Sequence, residues 1–364
     1  FLMIRRPPRS TLSLRRQRQM CIRDRVHVFN RSELIEVATF RSGEINSNDG
    51  ELVKDQSGKI IRDNIWGNLD QDTYRRDFTV NALYYCPKTK KIIGHKDGMS
   101  DIHKKSIVSI GDPKKRFSED PVRSLRAIRF SNKLKFKIDT KIKDAIYEKG
   151  HLLSSISNAR IFDEFCKMFL NGMAEKNFNK LNSFRLSKFL ITTEPDQNEF
   201  TSKLITEALR NTDKRLINNQ SVTPGFLLAA LLWPQLIEKC STKGEINLRK
   251  FFRSMDPILR SQQRITAIPR KFNSYIKDIW VLQLKLHSRI GKQPYKTLKH
   301  PRFRAAYDFM LIREKSSDET KSLGKWWTNF QKNDENLKKS LIGSLKEKSQ
   351  QESFKTFGFS QELR

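Results

Sequence analysis

Hydrophobic residues along the chain follow two spacings, and the change between them falls near Gly111. Before that point, short runs rich in Val, Ile, Phe and Thr predict strands. After it, apolar residues recur at helical spacing. The predicted strands cover residues 26–29, 34–41, 90–95 and 106–110. The predicted helices cover residues 78–85, a stretch that begins near Ser118, and residues 158–172, 178–190, 199–212, 223–240 and 248–254. We therefore expect an α+β chain in which an incomplete mixed sheet precedes an all-helical remainder.

Composition narrows the range of partners. The chain has 364 residues, enough for about two or three domains, and a formal net charge of +31. Such a basic excess favours a polyanion as the binding partner, nucleic acid first and an acidic membrane surface second.

The four cysteines are far apart and lack metal-ligand spacing, as in a reduced, cytosolic protein. No apolar run approaches the roughly 20 residues of a membrane span, so we expect a cytoplasmic protein without one.

The first 25 residues differ from the rest of the chain. They contain eight Arg and no Lys, and they show no apolar period. An Arg- and Ser-rich mitochondrial leader is one interpretation. The other, which we favour, is a non-native lead, because the string resembles translated sequencing-adapter read-through. On that interpretation the native N-terminus is missing.

A dense group of charges precedes the first predicted helix. Arg75, Arg76 and Asp77 lead into it, and Asn81 follows Asp77 by four positions. Asp77 is either a plain helix N-cap or a functional carboxylate. Two arginines at a helix start oppose the helix dipole, whereas they suit a triphosphate. The spacing predicts that Asn81 faces the same way as Asp77.

A second charged group lies in the helix predicted to begin near residue 118. Glu119, Asp120 and Arg123 are separated by three and four positions, which places them on one helical face. They form either a surface ion pair worth under about 1 kcal/mol, or a set of donors and acceptors that imitates a base-pairing edge and selects a nucleotide. Arg126 and Arg129 continue the same basic stripe.

Three further acidic or polar stretches carry alternatives. Glu36 lies in an apolar, strand-like run, where a buried carboxylate needs a partner. That partner is either Arg41 or Arg62, or a catalytic metal. Asp70-Gln71-Asp72 has DxD form but no flanking strand, so we expect it to be solvated surface. Residues 42–59 are rich in Gly, Asn, Ser and Asp and predict a surface loop.

The two charged strings together resemble class II nucleotidyltransferases, the family of the CCA-adding enzymes and the bacterial poly(A) polymerases. Arg75-Arg76-Asp77-Phe78-Thr79-Val80-Asn81 matches the family's most specific string, and Glu119-Asp120-Pro121-Val122-Arg123 matches its base-reading motif. Arg160 and Glu164 resemble the neck motif that braces the base-reading helix. The resemblance covers residues 26–331 and implies a nucleotidyltransferase head sheet, polymerase-beta-like and partial here, followed by helical neck and body domains.

The resemblance also implies roles for individual side chains. The catalytic carboxylates are expected to be Asp77 and Glu36. Nucleotide binding is expected from Arg75, Arg76, Asn81, Glu119, Asp120, Arg123 and Arg126. RNA binding is expected from Arg129, Arg302 and Arg304, since stacked bases and phosphates favour arginines beside aromatic residues.

The implied reaction is the transfer of AMP from ATP to an RNA 3′ hydroxyl with release of pyrophosphate, assisted by two Mg²⁺ ions. Strings near residues 279–285, 300–308 and 325–327 are close to the poly(A) polymerase branch of the family. The alternatives are a CCA-adding tRNA nucleotidyltransferase and a non-catalytic RNA-binding protein. The expected partners are RNA 3′ ends, ATP and proteins of RNA decay.

Two positions depart from the family pattern. The Gly-Ser and Asp-x-Asp strand that supplies metal carboxylates does not occur before Val26, where it belongs. We therefore expect the chain as written to be N-terminally truncated and without polymerase activity, and we name no metal ligands. The family also carries an Asp where this chain has Gly94, which puts the contact of that Asp in doubt.

These observations predict five regions. The expected order is a non-native lead at 1–25, a partial nucleotidyltransferase head at 26–110, a neck with the base-reading helix at 111–175, a helical body with a C-terminal RNA-binding region at 176–331, and a disordered basic and polar tail at 332–364.

Overall fold

The computed structural model describes residues 25–30, 33–41, 67–195, 197–242, 245–316 and 322–349. The chain divides into two compact units, Phe1–Lys149 and Gly150–Arg364. Strands other than one small hairpin lie in the first unit, and the second is helical, which confirms the predicted α+β class.

The first unit contains three pairs of short strands and five helices among its described residues. Antiparallel pairs join β1 (Arg25–Asn30) to β2 (Glu33–Ala38) and β3 (Leu83–Cys86) to β4 (Lys91–Gly94). A parallel pair joins β5 (Ser106–Ile107) to β6 (Lys137–Ile138). The helices are α1 (Leu69–Arg75), α2 (Gly98–His103), α3 (Pro113–Glu119), α4 (Val122–Leu134) and α5 (Thr140–Lys149).

The core of this unit forms where α4 packs against β5 and β6. Phe78, Ile107 and Leu125 are fully buried there. The ring of Phe78 meets Phe130 of α4 edge-on, with the ring centres 6.1 Å apart. Because Phe78 directly follows the Arg-Arg-Asp string, this apolar contact fixes the position of that string beside α4.

The predicted helix over residues 78–85 is wrong. A 3₁₀ turn at Thr79–Asn81 leads instead into β3. Leu83, Tyr84 and Tyr85 favour a strand, and β4 supplies the backbone partners that make one possible. Asp77 therefore does not cap a helix. The predicted strand over 106–110 is also shorter, since β5 ends at Ile107 and only an isolated bridge follows at Ser109.

A single helix from residue 118 is likewise wrong. Helix α3 ends at Glu119, Asp120 is extended with φ −142°, and α4 begins after Pro121. Proline disfavours a helical conformation for the residue before it, which explains the break. The Glu-Asp-x-x-Arg string thus spans the end of one helix and the start of the next.

The β1–β2 hairpin corrects the interpretation of Glu36. The strand predicted at 26–29 is present, and the one predicted at 34–41 ends at Ala38. The side chain of Glu36 is exposed rather than buried. Among the described strands β2 pairs only with β1, so this short ribbon does not enclose the carboxylate. The argument from the desolvation of Glu36 therefore fails.

Gly94 at the end of β4 has φ +134°, a conformation that favours glycine. A Cβ at this position would overlap the carbonyl oxygen of Ala82, which accepts a hydrogen bond from the backbone nitrogen of His95 at 2.9 Å. The backbone therefore leaves no room for a side chain where the family carries Asp.

The second unit is built from helices. They are α6 (Asn158–Phe169), α7 (Ala174–Ser183), α8 (Glu199–Ile217), α9 (Pro224–Cys240), α10 (Leu248–Gln263), α11 (Arg270–His287), α12 (Gln293–Leu298), α13 (Phe303–Ser316), α14 (Leu323–Lys332) and α15 (Glu335–Ser349). A small hairpin joins β7 (Ser241–Thr242) to β8 (Glu245–Ile246). The predicted helices over 199–212 and 223–240 are confirmed, whereas the one over 178–190 is interrupted after Ser183.

Helices α11, α13, α14 and α15 share one apolar core. Trp327 and Phe330 of α14 are fully buried in it, and Ile342 of α15 is 8% exposed. Leu341 and Leu345 pack against the same cluster. The prediction of disorder from residue 332 is therefore wrong as far as residue 349, because the apolar face of α15 packs against this core.

Several expectations fall on residues outside the described part of the chain. They concern the lead up to residue 24, the loop at 42–59, Arg62, and the tail beyond 349. The described cysteines, Cys86, Cys166 and Cys240, are free thiols, as predicted. No helix within the described ranges has both the length and the apolar character needed to cross a bilayer.

Candidate active site

Asp72 is the buried centre of the first charged group. It lies in α1, with its side chain 3% exposed. Its Oδ2 accepts hydrogen bonds from Arg76 Nε at 3.0 Å, from Arg76 Nη2 at 2.7 Å and from the hydroxyl of Tyr84. Its Oδ1 accepts from Arg75 Nη2 and from the backbone nitrogen of Arg41, both at 3.3 Å. The prediction that this acidic string is solvated surface is wrong for Asp72, because distant parts of the chain enclose it.

Burial and charge oppose each other at this group. Burial raises the pKa of Asp72, but hydrogen bonds from Tyr84 and Arg76 and the charges of Arg76 and Arg75 outweigh it and lower the pKa overall. Burial lowers the pKa of Arg76, but its hydrogen bond to Asp72 raises it overall. The group is thus an ionised carboxylate that holds two guanidiniums, and the side chain of Arg76 remains 41% exposed.

Asp77 follows α1 directly and connects it to α4. Its Oδ1 accepts hydrogen bonds from Asn81 Nδ2 at 3.0 Å and from the backbone nitrogen of Phe78 at 2.9 Å. As the spacing predicts, Asn81 faces Asp77, although a 3₁₀ turn rather than a helix brings them together. The Oδ2 of Asp77 lies 2.8 Å from Nε of Arg126 in α4, an ion pair without the alignment of a hydrogen bond. This ion pair joins the two charged strings.

Arg116 in α3 connects the same two strings by a different route. Its Nη2 donates to the backbone carbonyl oxygens of Arg75 and Arg76, each at 2.7 Å. Its Nη1 donates to Oε2 of Glu119 at 3.2 Å. Arg123 in turn donates from Nη1 to the carbonyl oxygen of Arg116 at 3.1 Å and lies 3.6 Å from the same Glu119 oxygen.

The Glu-Asp-x-x-Arg string is more enclosed than a surface ion pair. The side chains of Arg123 and Glu119 are 10% and 19% exposed. Burial, and then the charge of Arg116, lower the pKa of Arg123, but an arginine remains protonated in proteins. Asp120 accepts a hydrogen bond from the backbone nitrogen of Val122, the first residue of α4, at 3.2 Å. Partial burial reduces the competition of water for these donors and acceptors.

Phe130 carries the basic stripe of α4. The guanidinium of Arg129 lies 4.3 Å from the centre of the Phe130 ring, and that of Arg126 lies 5.9 Å from it. Cations over an aromatic face are held by its quadrupole. One apolar ring therefore holds two arginines in place on the helix that reaches Asp77.

Arg302 and Arg304 lie in the second unit and form a separate group. The guanidinium of Arg302 stacks over Tyr275 at 4.9 Å. Arg304 is 71% exposed, and its Nε lies 3.1 Å from Oδ1 of Asp308. Tyr307 lies beneath it, with the ring centre 5.4 Å from the guanidinium. The pairing of arginine with aromatic rings that the sequence predicts is therefore present.

The first unit brings most of the predicted site residues into one connected group. These are Arg75, Arg76, Asp77, Asn81, Glu119, Asp120, Arg123, Arg126 and Arg129. Sequence reasoning misses Asp72 and Arg116. Asp72 precedes Arg75 and Arg76 by three and four positions, a spacing that favours helical ion pairs and could have identified it. Arg116 precedes Glu119 by three positions, which is the same kind of spacing, but its contacts with the backbone of Arg75 and Arg76 carry no sequence signal.

The described residues by themselves do not fit a two-magnesium site. Such a site needs several converging carboxylates, whereas no three His, Cys, Asp or Glu side chains cluster in this way within the part of the chain that the structure describes. Asp72 and Asp77 are each paired with arginine.

Comparison with known proteins identifies the family. A model described as the poly A polymerase head domain matches residues 9–108, one described as "Probable RNA and SrmB-binding site of polymerase A" matches residues 135–200, and one described as the polymerase A arginine-rich C-terminus matches residues 243–357. Poly(A) polymerase I of Haemophilus influenzae is 35% identical over 327 residues, which are 87% of this chain and 72% of that protein.

In amino-acid sequence, CCA-adding enzymes match over less of the chain. The CCA-adding enzyme of Pediococcus pentosaceus is 35% identical over 164 residues, which are 45% of this chain and 39% of that protein. The solved structure of a CCA-adding enzyme in its apo form II is 20% identical, with a TM-score of 0.56 over 92% of this chain and 78% of that one, and so supports the fold alone. The chain belongs to the poly(A) polymerase I family of template-independent nucleotidyltransferases, and CCA-adding enzymes are its more distant relatives.

Proposed function

We propose that this protein transfers adenylate from ATP to RNA 3′ ends, and that the connected group in its first unit binds the nucleotide. The observation that carries the proposal is the junction of the two family strings. Arg126 reaches Asp77 at 2.8 Å, and Arg116 reaches the backbone of Arg75 and Arg76 at 2.7 Å. The residues that we assign below to the phosphates and to the base therefore lie within one compact unit.

Arg75 and Arg76 are assigned to the triphosphate. Guanidinium groups bind phosphate oxygens through paired, charge-assisted hydrogen bonds. Asp72 lies behind both arginines and restricts the directions in which their remaining donors point. A site whose cations are already oriented loses less side-chain entropy when the ligand binds.

Asp77 and Asn81 are assigned to the ribose end of the nucleotide. Their side chains form one polar unit at 3.0 Å, and Arg126 neutralises the buried carboxylate. A carboxylate and an amide together provide acceptors and donors suited to sugar hydroxyls. Glu36 is exposed in β2, and its catalytic role stays a prediction.

Glu119, Asp120 and Arg123 are assigned to the choice of base. Arginine provides donors and the carboxylates provide acceptors, so the set can match the pairing edge of one base and leave another unsatisfied. The contact of Arg123 with the backbone of Arg116 restricts where its other donors point. We assign Arg129, Arg302 and Arg304 to RNA, where phosphates and stacked bases favour arginine beside aromatic rings.

The magnesium dependence implied by the family stays a prediction, as does the expectation of RNA-decay proteins as partners. When bound, magnesium would activate the RNA hydroxyl and stabilise the leaving pyrophosphate. The described residues instead bind and orient the nucleotide.

Two measurements test the proposal. Displacement of a fluorescent ATP analogue by ATP, CTP, GTP and UTP is expected to rank ATP first. Incorporation onto an unstructured RNA primer, assayed with each nucleotide separately, is expected to proceed with ATP in a version that also carries the family's Gly-Ser and Asp-x-Asp strand, and to be absent from the chain as written. Preferential CTP incorporation on truncated tRNA would support a CCA-adding enzyme instead. RNA binding without any nucleotide binding would support a non-catalytic RNA-binding protein.

A further inference from the structure

We propose that Arg116 is a positioning residue that couples the triphosphate-binding arginines to the base-reading arginine. The inference rests on the nucleotide-binding function proposed above. It concerns a residue that no family string singles out, and its basis is the set of contacts that Arg116 makes with both strings.

One side of Arg116 holds the end of α1. Its Nη2 donates to the carbonyl oxygens of Arg75 and Arg76 at 2.7 Å, and that of Tyr74 lies 3.4 Å away. The last carbonyl groups of a helix have no partners within it, and a cation there is favoured by the helix dipole. Arg116 therefore fixes the backbone from which the guanidiniums of Arg75 and Arg76 project.

The other side of Arg116 holds the base-reading string. Its Nη1 donates to Oε2 of Glu119, and the same oxygen faces Nη1 of Arg123 at 3.6 Å. Arg123 also donates to the carbonyl oxygen of Arg116. One carboxylate thus lies between two guanidiniums, and a shift of Arg116 displaces the contacts of Arg123.

Only arginine has the geometry for this double contact. Its planar group carries donors on separate nitrogens, whereas the ammonium of lysine is a single point on a flexible stem. The side chain of Arg116 is 17% exposed, so water replaces its contacts poorly. Loss of Arg116 should therefore change triphosphate affinity and base preference together, which a residue serving either string alone would not do.

The experiment compares Arg116→Gln and Arg116→Lys with Lys114→Gln. Lys114 is the matched control because it lies in the same helix, carries the same charge, is 52% exposed and pairs with Glu148 at 2.6 Å. The probes are inorganic tripolyphosphate, ATP and CTP, each displacing a fluorescent ATP analogue. Arg116→Gln is expected to weaken tripolyphosphate about tenfold and to reduce the ATP-over-CTP ratio by a similar factor. Arg116→Lys is expected to keep part of the tripolyphosphate affinity but little of the ATP-over-CTP preference. Lys114→Gln is expected to leave both the affinity and the preference unchanged.

A double substitution separates coupling from simple damage. If Arg116 acts through Arg123, the effects of Arg116→Gln and Arg123→Ala on the ATP-over-CTP ratio are not additive. Additive effects would overturn the inference, as would an Arg116→Gln protein that keeps both wild-type affinity and wild-type preference.

Folding is followed by circular dichroism during thermal unfolding. If Arg116→Gln fails to fold, Arg116→Lys decides the matter, because it keeps the positive charge but cannot contact both strings at once. A reduced ATP-over-CTP ratio in Arg116→Lys supports the coupling, and a wild-type ratio overturns it. Failure of the wild-type protein to bind tripolyphosphate or to prefer ATP would instead overturn the proposed function itself.

Discussion

Tyr84 donates its hydroxyl hydrogen to Oδ2 of Asp72, the same oxygen that accepts two hydrogen bonds from Arg76. A residue of β3 therefore supports a charged group at the end of α1. The contact joins two elements that local sequence patterns do not connect. Through Asp72, the neutral side chain of Tyr84 helps to orient the proposed phosphate-binding arginines.

The first prediction concerns this contact. Tyr84→Phe removes one donor to a buried carboxylate and is expected to cost about 0.5–1.5 kcal/mol of unfolding free energy. Tyr85→Phe is the matched control, because Tyr85 lies next on the same strand and is exposed. Urea unfolding monitored by circular dichroism measures both variants. Equal stability of the two would contradict the role given to the Tyr84 hydroxyl.

The second prediction concerns pH. Burial, with the nearby charges of Arg313 and Arg289, lowers the pKa of His287 from 6.5 to about 3. Below pH 6.5 the imidazole of His287 is protonated in the unfolded chain but stays neutral in the folded chain. His287 therefore lowers the free energy of unfolding as the pH falls from about 7 toward 3.

In His287→Gln the free energy of unfolding is therefore expected to fall less steeply as the pH is lowered. The slope should differ from that of the wild type by at most about 1.4 kcal/mol per pH unit. Thermal unfolding at several pH values between 7.5 and 5 measures this slope, which is separate from any constant loss of stability. The exposed residue His151, replaced by Gln, is the control. A slope identical to that of the wild type would contradict the prediction.

The third prediction concerns the choice of base. Arg123→Ala is expected to reduce the preference for ATP over CTP by about 1–3 kcal/mol, because it removes one hydrogen-bonding edge from a partly buried site. RNA affinity is expected to change less. Lys133→Ala, at the exposed end of α4, serves as the control. An unaltered preference in Arg123→Ala would exclude it from base reading.

The fourth prediction concerns RNA. Binding is expected to weaken steeply with salt, since cationic contacts release counterions. Arg304→Gln is expected to reduce the slope of log affinity against log salt by about one unit if Arg304 contacts a phosphate.

Arg210→Gln is the matched control in the same unit. Arg210 is also an exposed arginine held in ion pairs, with Glu175 and Glu207. Fluorescence anisotropy of a labelled oligoadenylate between low and moderate salt measures both variants. The same slope in the two would place Arg304 outside the RNA contact.

Sequence patterns predicted the elements whose own residues carry the signal. Helix α9 begins after the N-cap Thr223 and is almost entirely apolar, and the strand at β2 is rich in Val, Ile and Leu. The prediction of a helix over residues 78–85 failed because the backbone partner that favours β3 is a different strand, β4. Local periodicity does not contain that information.

The candidate site shows the same difference between residues with a local sequence signal and residues whose role depends on distant contacts. The Arg-Arg-Asp and Glu-Asp-x-x-Arg strings were recognisable as motifs. Asp72 was misinterpreted because its burial depends on Arg41 and Tyr84, which lie 31 and 12 residues away in the chain. Arg116 was missed because its role depends on backbone carbonyl groups, which carry no residue identity.

Gly94 limits how the end of β4 can vary. Because a side chain there would overlap the carbonyl of Ala82, any other residue at this position requires the backbone at the end of the strand to shift. The same carbonyl oxygen accepts the hydrogen bond from the backbone nitrogen of His95, so such a shift would disturb that contact as well. A substitution of this glycine is therefore expected to be tolerated only when neighbouring residues change with it.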